Sequence, residues 1–221
     1  MCFSPEGDLV GGIVVATIGI DAVRHLHSRP EFKFLAPLPI VLGLHQIDET
    51  FVWWQLQGHV PRSVGVVAMW IYLIFALVVL PSVVPLIMWA MEPQRRRRRA
   101  LWVLSLLGFA VSVTMLATML AGNPTAHLGH YHIAYSIGLH DGVLVTGLYV
   151  VATCGATLIS SRRSVVIFGL FNLVAVVVLA RLAADGFTSL WCFYAAVVSA
   201  LIALMLRTRQ IIEVDVTPEL I

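Results

Sequence analysis

Residues 43–54 read GLHQIDETFVWW, with three ionisable side chains, His45, Asp48 and Glu49, standing among apolar and aromatic residues. Whether this stretch crosses a membrane decides the fold. An acid at the centre of a membrane helix costs about 2.5–3.5 kcal/mol on an insertion scale, so such residues face protein or water. The surrounding chain argues for a membrane: of 221 residues, 59% are hydrophobic and 12% charged, where soluble domains carry roughly a quarter charged residues. Mean hydropathy is +0.92. The composition predicts an all-α integral membrane protein in the plasma membrane.

Working outward, apolar stretches near the roughly 20 residues needed to cross a bilayer recur along the whole chain. Ser4-Pro5-Glu6 starts a helix, because Ser accepts a bond from an unpaired backbone amide, Pro fits the first helical position and an acid suits the positive helix end. The sequence predicts seven spans, at about 5–26, 34–57, 63–91, 100–121, 135–160, 164–182 and 188–207. They form one seven-helix bundle over residues 1–209, and 210–221 is a short cytoplasmic tail. No small-residue cleavage site follows the first apolar stretch, so it is read as a retained helix.

Loops facing the cytoplasm collect Lys and Arg. Arg24, Arg29 and Lys33, then Arg95 to Arg99, then Arg162 and Arg163, then Arg207 and Arg209 make up twelve of the fourteen basic residues. All twelve fall on one side if the amino terminus is outside and the carboxyl terminus cytoplasmic. Arg62 and Arg181 dissent. The Arg95–Arg99 run, directly beside a helix end, is read as a topogenic anchor for anionic lipid headgroups rather than a nucleic-acid site. A retinal-type photoreceptor is excluded, since the single lysine, Lys33, lies in a connection and not inside the bundle.

At about 100° per residue, His45, Asp48 and Glu49 share one helix face in the outer half of span two. The chain entering span five, AHLGHYHIAYSIGLHDG, holds His127, His130, His132 and His140. A helix beginning near Tyr131 places His132, Ser136 and His140 in one stripe, with Tyr135 beside it, descending toward Glu49. Imidazole, carboxylate and thiolate are the usual ligands of transition metals. The candidate metal ligands are therefore His45, Glu49, His132 and His140, with Cys2 and Cys192 at the outer helix ends. Glu49 is also the candidate base on a metal-bound water, with Asp48 and Tyr135 supporting it. Zinc, copper or iron would fit, and haem between His45 and a span-five histidine is the further cofactor alternative. Two other readings stay open: the buried groups fix helix register by bonding one another, or they relay protons. Cys2 and Cys192 pair in a disulfide or serve the metal, and Cys154 is an ordinary packed thiol.

The motifs MCFSPE, ETFVWW, HYHIAYS and SLWCFYAA together resemble a family of small, uncharacterised bacterial membrane proteins that begin Met-Cys-Phe-Ser. The resemblance covers nearly the whole chain, implies a shared architecture, and draws attention to Cys2, Glu49, His132, Tyr135 and Cys192. It implies no substrate. Seven-span zinc hydrolases of the alkaline ceramidase and adiponectin-receptor type are similar only in architecture. They carry an HxxxH pair on the last span, where this chain has no histidine.

Three function classes follow. A metal-dependent membrane enzyme, a hydrolase or oxidoreductase, predicts bound metal and an outward-facing cavity. A proton-coupled transporter predicts a polar path through both halves of the bundle. A haem- or metal-binding accessory or sensor protein predicts colour or a partner membrane subunit, and a homo-oligomer is compatible with each.

Overall fold

The computed structural model describes residues 4–24, 37–129, 132–139 and 142–182, together with Tyr194, Ala196 and Ala200. The chain is mostly helical. Helix α1 spans Pro5–Arg24 and α2 Leu38–Leu56. The long α3 covers Arg62–Met91 and α4 Arg95–Ala121. A short antiparallel hairpin follows, β1 at Thr125–Leu128 and β2 at Ile133–Ser136. The last two described helices are α5, Gly142–Ile159, and α6, Arg163–Leu182. Among the described residues, α3, α4 and α5 are long and apolar enough to cross a membrane. Large apolar side chains such as Val103, Leu106, Phe109 and Leu120 are exposed along α4. Such a surface suits a hydrocarbon solvent. Of the seventh expected span, the described Tyr194, Ala196 and Ala200 are helical, and both alanines pack with Val15 and Leu42. The tail at 210–221 lies outside the described residues.

The hairpin is a small addition to the mostly helical fold, and it corrects the expected start of span five. Residues 133–136 are a strand, so His132, Ser136 and His140 do not form a helical stripe. Asn123-Pro124 stops the preceding helix, and Ile133, Tyr135 and Ile137 then alternate with smaller residues, the two-residue period of a half-buried strand. Ile133 is buried and Tyr135 half-buried on the core face, while Ser136 is exposed. The register pairs Thr125 with Ser136, Ala126 with Tyr135, His127 with Ala134 and Leu128 with Ile133. Through Ile133 the strand packs into a core of Val52, Trp53, Tyr72, Leu73 and Met119, so the hairpin caps one end of the bundle.

Helices α1 and α2 meet along small residues. A Cβ built on Gly12 would lie 2.6 Å from the Gly43 carbonyl oxygen, and one built on Gly43 would lie 2.6 Å from the Gly12 carbonyl oxygen. The two backbones are therefore in direct contact, the close approach that small residues allow at a helix–helix interface. The left-handed Gly58, at φ 80°, follows the end of α2.

Prolines remodel α3. Over Ile74–Val79 the helix widens to a π turn, in which the Leu80 amide bonds the Phe75 carbonyl. In that register Pro81 would have to donate to Ala76 and has no N–H to do so. The Tyr149 hydroxyl takes the freed Ala76 carbonyl at 2.8 Å, and the Ser112 hydroxyl reaches the Val78 carbonyl at 2.6 Å. Pro85 leaves the Pro81 carbonyl open to α4, where a Cβ on Gly108 would collide with that oxygen. Only glycine allows this approach.

At the far end, two turns are clasped together. Glu92, after α3, accepts hydrogen bonds from the Ser161 amide at 2.8 Å and the Gln94 amide at 3.1 Å. Arg97 donates to the Ser160 carbonyl at 2.7 Å and the Ile159 carbonyl at 3.0 Å. Arg98 lies over the Trp89 ring, 4.4 Å from its centre. Two of the five arginines expected to meet lipid headgroups are therefore engaged within the protein.

Candidate functional site

Helix α2 has two faces. Val41, Leu44 and Phe51 are exposed at steps of three and seven residues, whereas Leu42, His45, Gln46, Glu49, Thr50 and Trp53 are buried. This is the 3.6-residue period of a helix with one face packed. Polar residues occupy the packed face, at the end of the bundle that the hairpin covers.

Glu49 is 0% exposed, and the Tyr135 hydroxyl donates to its Oε1 at 3.2 Å. The neighbouring turn of α2 carries His45, 5% exposed. Its imidazole stacks on Tyr72, ring centres 4.1 Å apart and 12° from parallel, with Phe75 tilted against it at 4.6 Å. Tyr72 stacks in turn on Tyr135, at 4.8 Å and 17°. His45, Tyr72, Tyr135 and Glu49 thus form a ring of contacts that leaves α2, passes through α3 and the hairpin, and returns to α2 one turn away. Gripped on its face, the His45 ring has a fixed plane. Its Nε2 is buried and has no hydrogen-bond partner among the described residues.

Around this ring lie polar groups that composition and periodicity did not single out. Asp8, 0% exposed, accepts a 2.8 Å bond from the indole N–H of Trp53. Thr50 sits between α2 and the start of α1, its hydroxyl 3.4 Å from the Gln46 carbonyl and 3.5 Å from that of Pro5. Asp8 lies in the first turn of α1, where an acid reads as a dipole partner. The signal for its other role was its place on the Pro5, Asp8, Gly12, Ala16 stripe that packs on α2.

The predicted site residues separate. His45, Glu49 and Tyr135 come together. Asp48 does not join them: it is half-buried on the outward side of α2, in a groove against α3. The 100° step places it near His45 in projection, but packing against α1 and the hairpin rotates the buried face toward Gln46 and Glu49. His132 lies at the hairpin turn, where its carbonyl accepts from the Gly129 amide at 2.8 Å and a Cβ on Gly129 would meet its Nε2 at 2.8 Å. Its imidazole is folded over that turn. His127 is exposed on β1. Among the described residues, no group of three or more His, Cys, Asp or Glu is gathered as for a metal ion. Cys2, His140 and Cys192, the other expected ligands, lie outside the described residues, as does the expected Cys2–Cys192 disulfide. Cys154 is a free, buried thiol.

No curated protein and no solved structure matches the chain. A family model described as a family of unknown function (DUF6629) matches residues 1–216, and the chain belongs to that family.

Proposed function

We propose that the chain is a metal-binding membrane protein and that the cluster beneath the hairpin is its working centre. On this reading it crosses the plasma membrane seven times, with the amino terminus outside and the carboxyl terminus cytoplasmic, as the one-sided distribution of Lys and Arg supports. His45 and Glu49 offer an imidazole nitrogen and a carboxylate from successive turns of α2, donors that suit zinc, copper or iron. Cys2, His140 and Cys192 are the donors that would complete the set.

The observation that carries the reading is His45. A buried ring nitrogen without a hydrogen-bond partner costs about 1–3 kcal/mol, a cost that a bound ligand removes. The stacked Tyr72 holds the ring in one plane, which is what a ligand of fixed direction requires. A metal so held supplies Lewis-acid or redox chemistry. The chain's own contribution is the Glu49–Tyr135 pair, in which the phenol hydroxyl donates a hydrogen bond to Oε1 of the carboxyl group. Such a pair suits a hydrolase or oxidoreductase acting on a lipid-soluble or periplasmic substrate. The transporter reading has less support, because the buried Ser105, Thr153 and Thr157 toward the opposite end spend their hydroxyls on carbonyls of their own helices.

Elemental analysis and an absorption spectrum of the purified protein test the proposal. Stoichiometric transition metal is the expected result. Metal-free, colourless protein overturns it, and a haem absorption band replaces it with the haem-binding alternative.

A further inference from the structure

Asp48 opens on a different surface from His45 and Glu49. With Phe51 of α2 it lines an open groove of about 450 Å³, whose other wall is built by Ser63, Val64, Val67, Ala68 and Ile71 of α3. Val64, Val67 and Ile71 are spaced as one face of a helix. Val41, Leu44 and Ile74, on preceding and following turns of the same two helices, are exposed apolar residues, a surface that suits hydrocarbon. The carboxylate Oδ2 is enclosed and has no hydrogen-bond partner among the described residues.

We infer that this groove binds a lipophilic amine, a small apolar molecule carrying one protonated nitrogen. Charge complementarity sets the cation: among the described residues Asp48 is the one ionisable group in the lining, and Ser63 the one other polar side chain. Among the described residues no basic side chain lines the groove, so an anion finds no counter-charge from them. The remaining walls are hydrocarbon, so the body of the ligand is apolar. Its size follows from the volume, which lies in the range of small-molecule sites, roughly 300–1,000 Å³. The wall from Ser63 to Ile71 is about 12 Å long at 1.5 Å per residue, far shorter than a crossing helix of about 30 Å. The inference is independent of any metal at His45.

The test compares three rigid probes of one shape, aminoadamantane, hydroxyadamantane and adamantane carboxylate, by equilibrium dialysis against the full chain in lipid nanodiscs, with empty nanodiscs subtracted. The amine should bind about tenfold or more tighter than the alcohol, as a charge-assisted bond would give, and the carboxylate weakest. Asp48→Asn should remove the preference for the amine and leave the alcohol unchanged, while Val67→Trp should fill the groove and abolish binding of both. Equal binding of amine and alcohol by the unaltered protein, or no binding of either, overturns the inference without recourse to any variant. So does a cross-linker at position 67 that yields a dimer of this chain, which would make the groove a contact between copies.

Discussion

The hydroxyl of Tyr135, on the second strand of the hairpin, donates to Oε1 of Glu49 on α2 at 3.2 Å. These residues are 86 positions apart, and the bond fixes the hairpin over the polar face of α2. Glu49 is buried and Tyr135 half-buried, so losing the hydroxyl removes a hydrogen bond from a largely enclosed carboxyl group. Tyr135→Phe should therefore destabilise the protein by about 1–3 kcal/mol. Unfolding in mixed detergent, followed by tryptophan fluorescence, measures it. An unchanged midpoint would show that the bond contributes nothing to the cap.

The α1–α2 seam depends on Gly43, whose missing side chain admits the backbone of Gly12 and Ala16. Gly43→Val has no flexible neighbour to displace, since the close atoms are backbone. Overpacking of this kind costs typically about 1–3 kcal/mol, and more where backbone must move. The variant should show a lower unfolding midpoint and a loosened Trp53–Asp8 contact, read as a shift in tryptophan emission. A midpoint equal to that of the unaltered protein would contradict the seam.

Glu92 links the turn after α3 to the turn before α6. Burial raises its carboxyl pKa, but the Ser161 and Gln94 amides, the Ser161 side chain and the charge of Arg97 outweigh this and hold it below its ordinary 4.5. A folded-state value below the unfolded one means that the clasp's contribution is fully present above the ordinary value and is lost as pH falls through the lowered one. Stability measured from pH 7 downward should hold until about pH 5 and then decline. Glu92→Gln should be less stable by about 1–3 kcal/mol at pH 7 and should lose less on acidification. Identical acid profiles for the two proteins would rule out the clasp.

Much of this architecture was legible in residue order, and what was not has physical causes. The helices over 5–24, 38–56 and 62–91 follow from apolar length, a feature local enough to read directly, and only the start of the second was set too early, ahead of Pro37. The hairpin was missed because Ile133, Ala134 and Tyr135 are apolar enough to extend the next span backward, and a four-residue strand offers too few alternations to oppose that. On α2, His45 and Glu49 were read correctly as sharing a packed face, since a step of four residues keeps two side chains together. Asp48 was misplaced because the angular step gives the relative directions of side chains but not which edge of the stripe the neighbours cover. Asp8 and Tyr72 escaped notice, as their roles come from contacts with α2 that only the packing of separate helices creates.

The central claim is that His45 and Glu49 hold a ligand together. Metal content of purified protein should be measured by mass spectrometry of the elements for the unaltered chain, His45→Leu, Glu49→Gln and the exposed-loop control His59→Leu. The account predicts about one equivalent of a single transition metal in the unaltered protein and the control, and its loss from both site variants while their helical circular dichroism is retained. Metal retained by His45→Leu and Glu49→Gln, or absent from all four proteins, would contradict it.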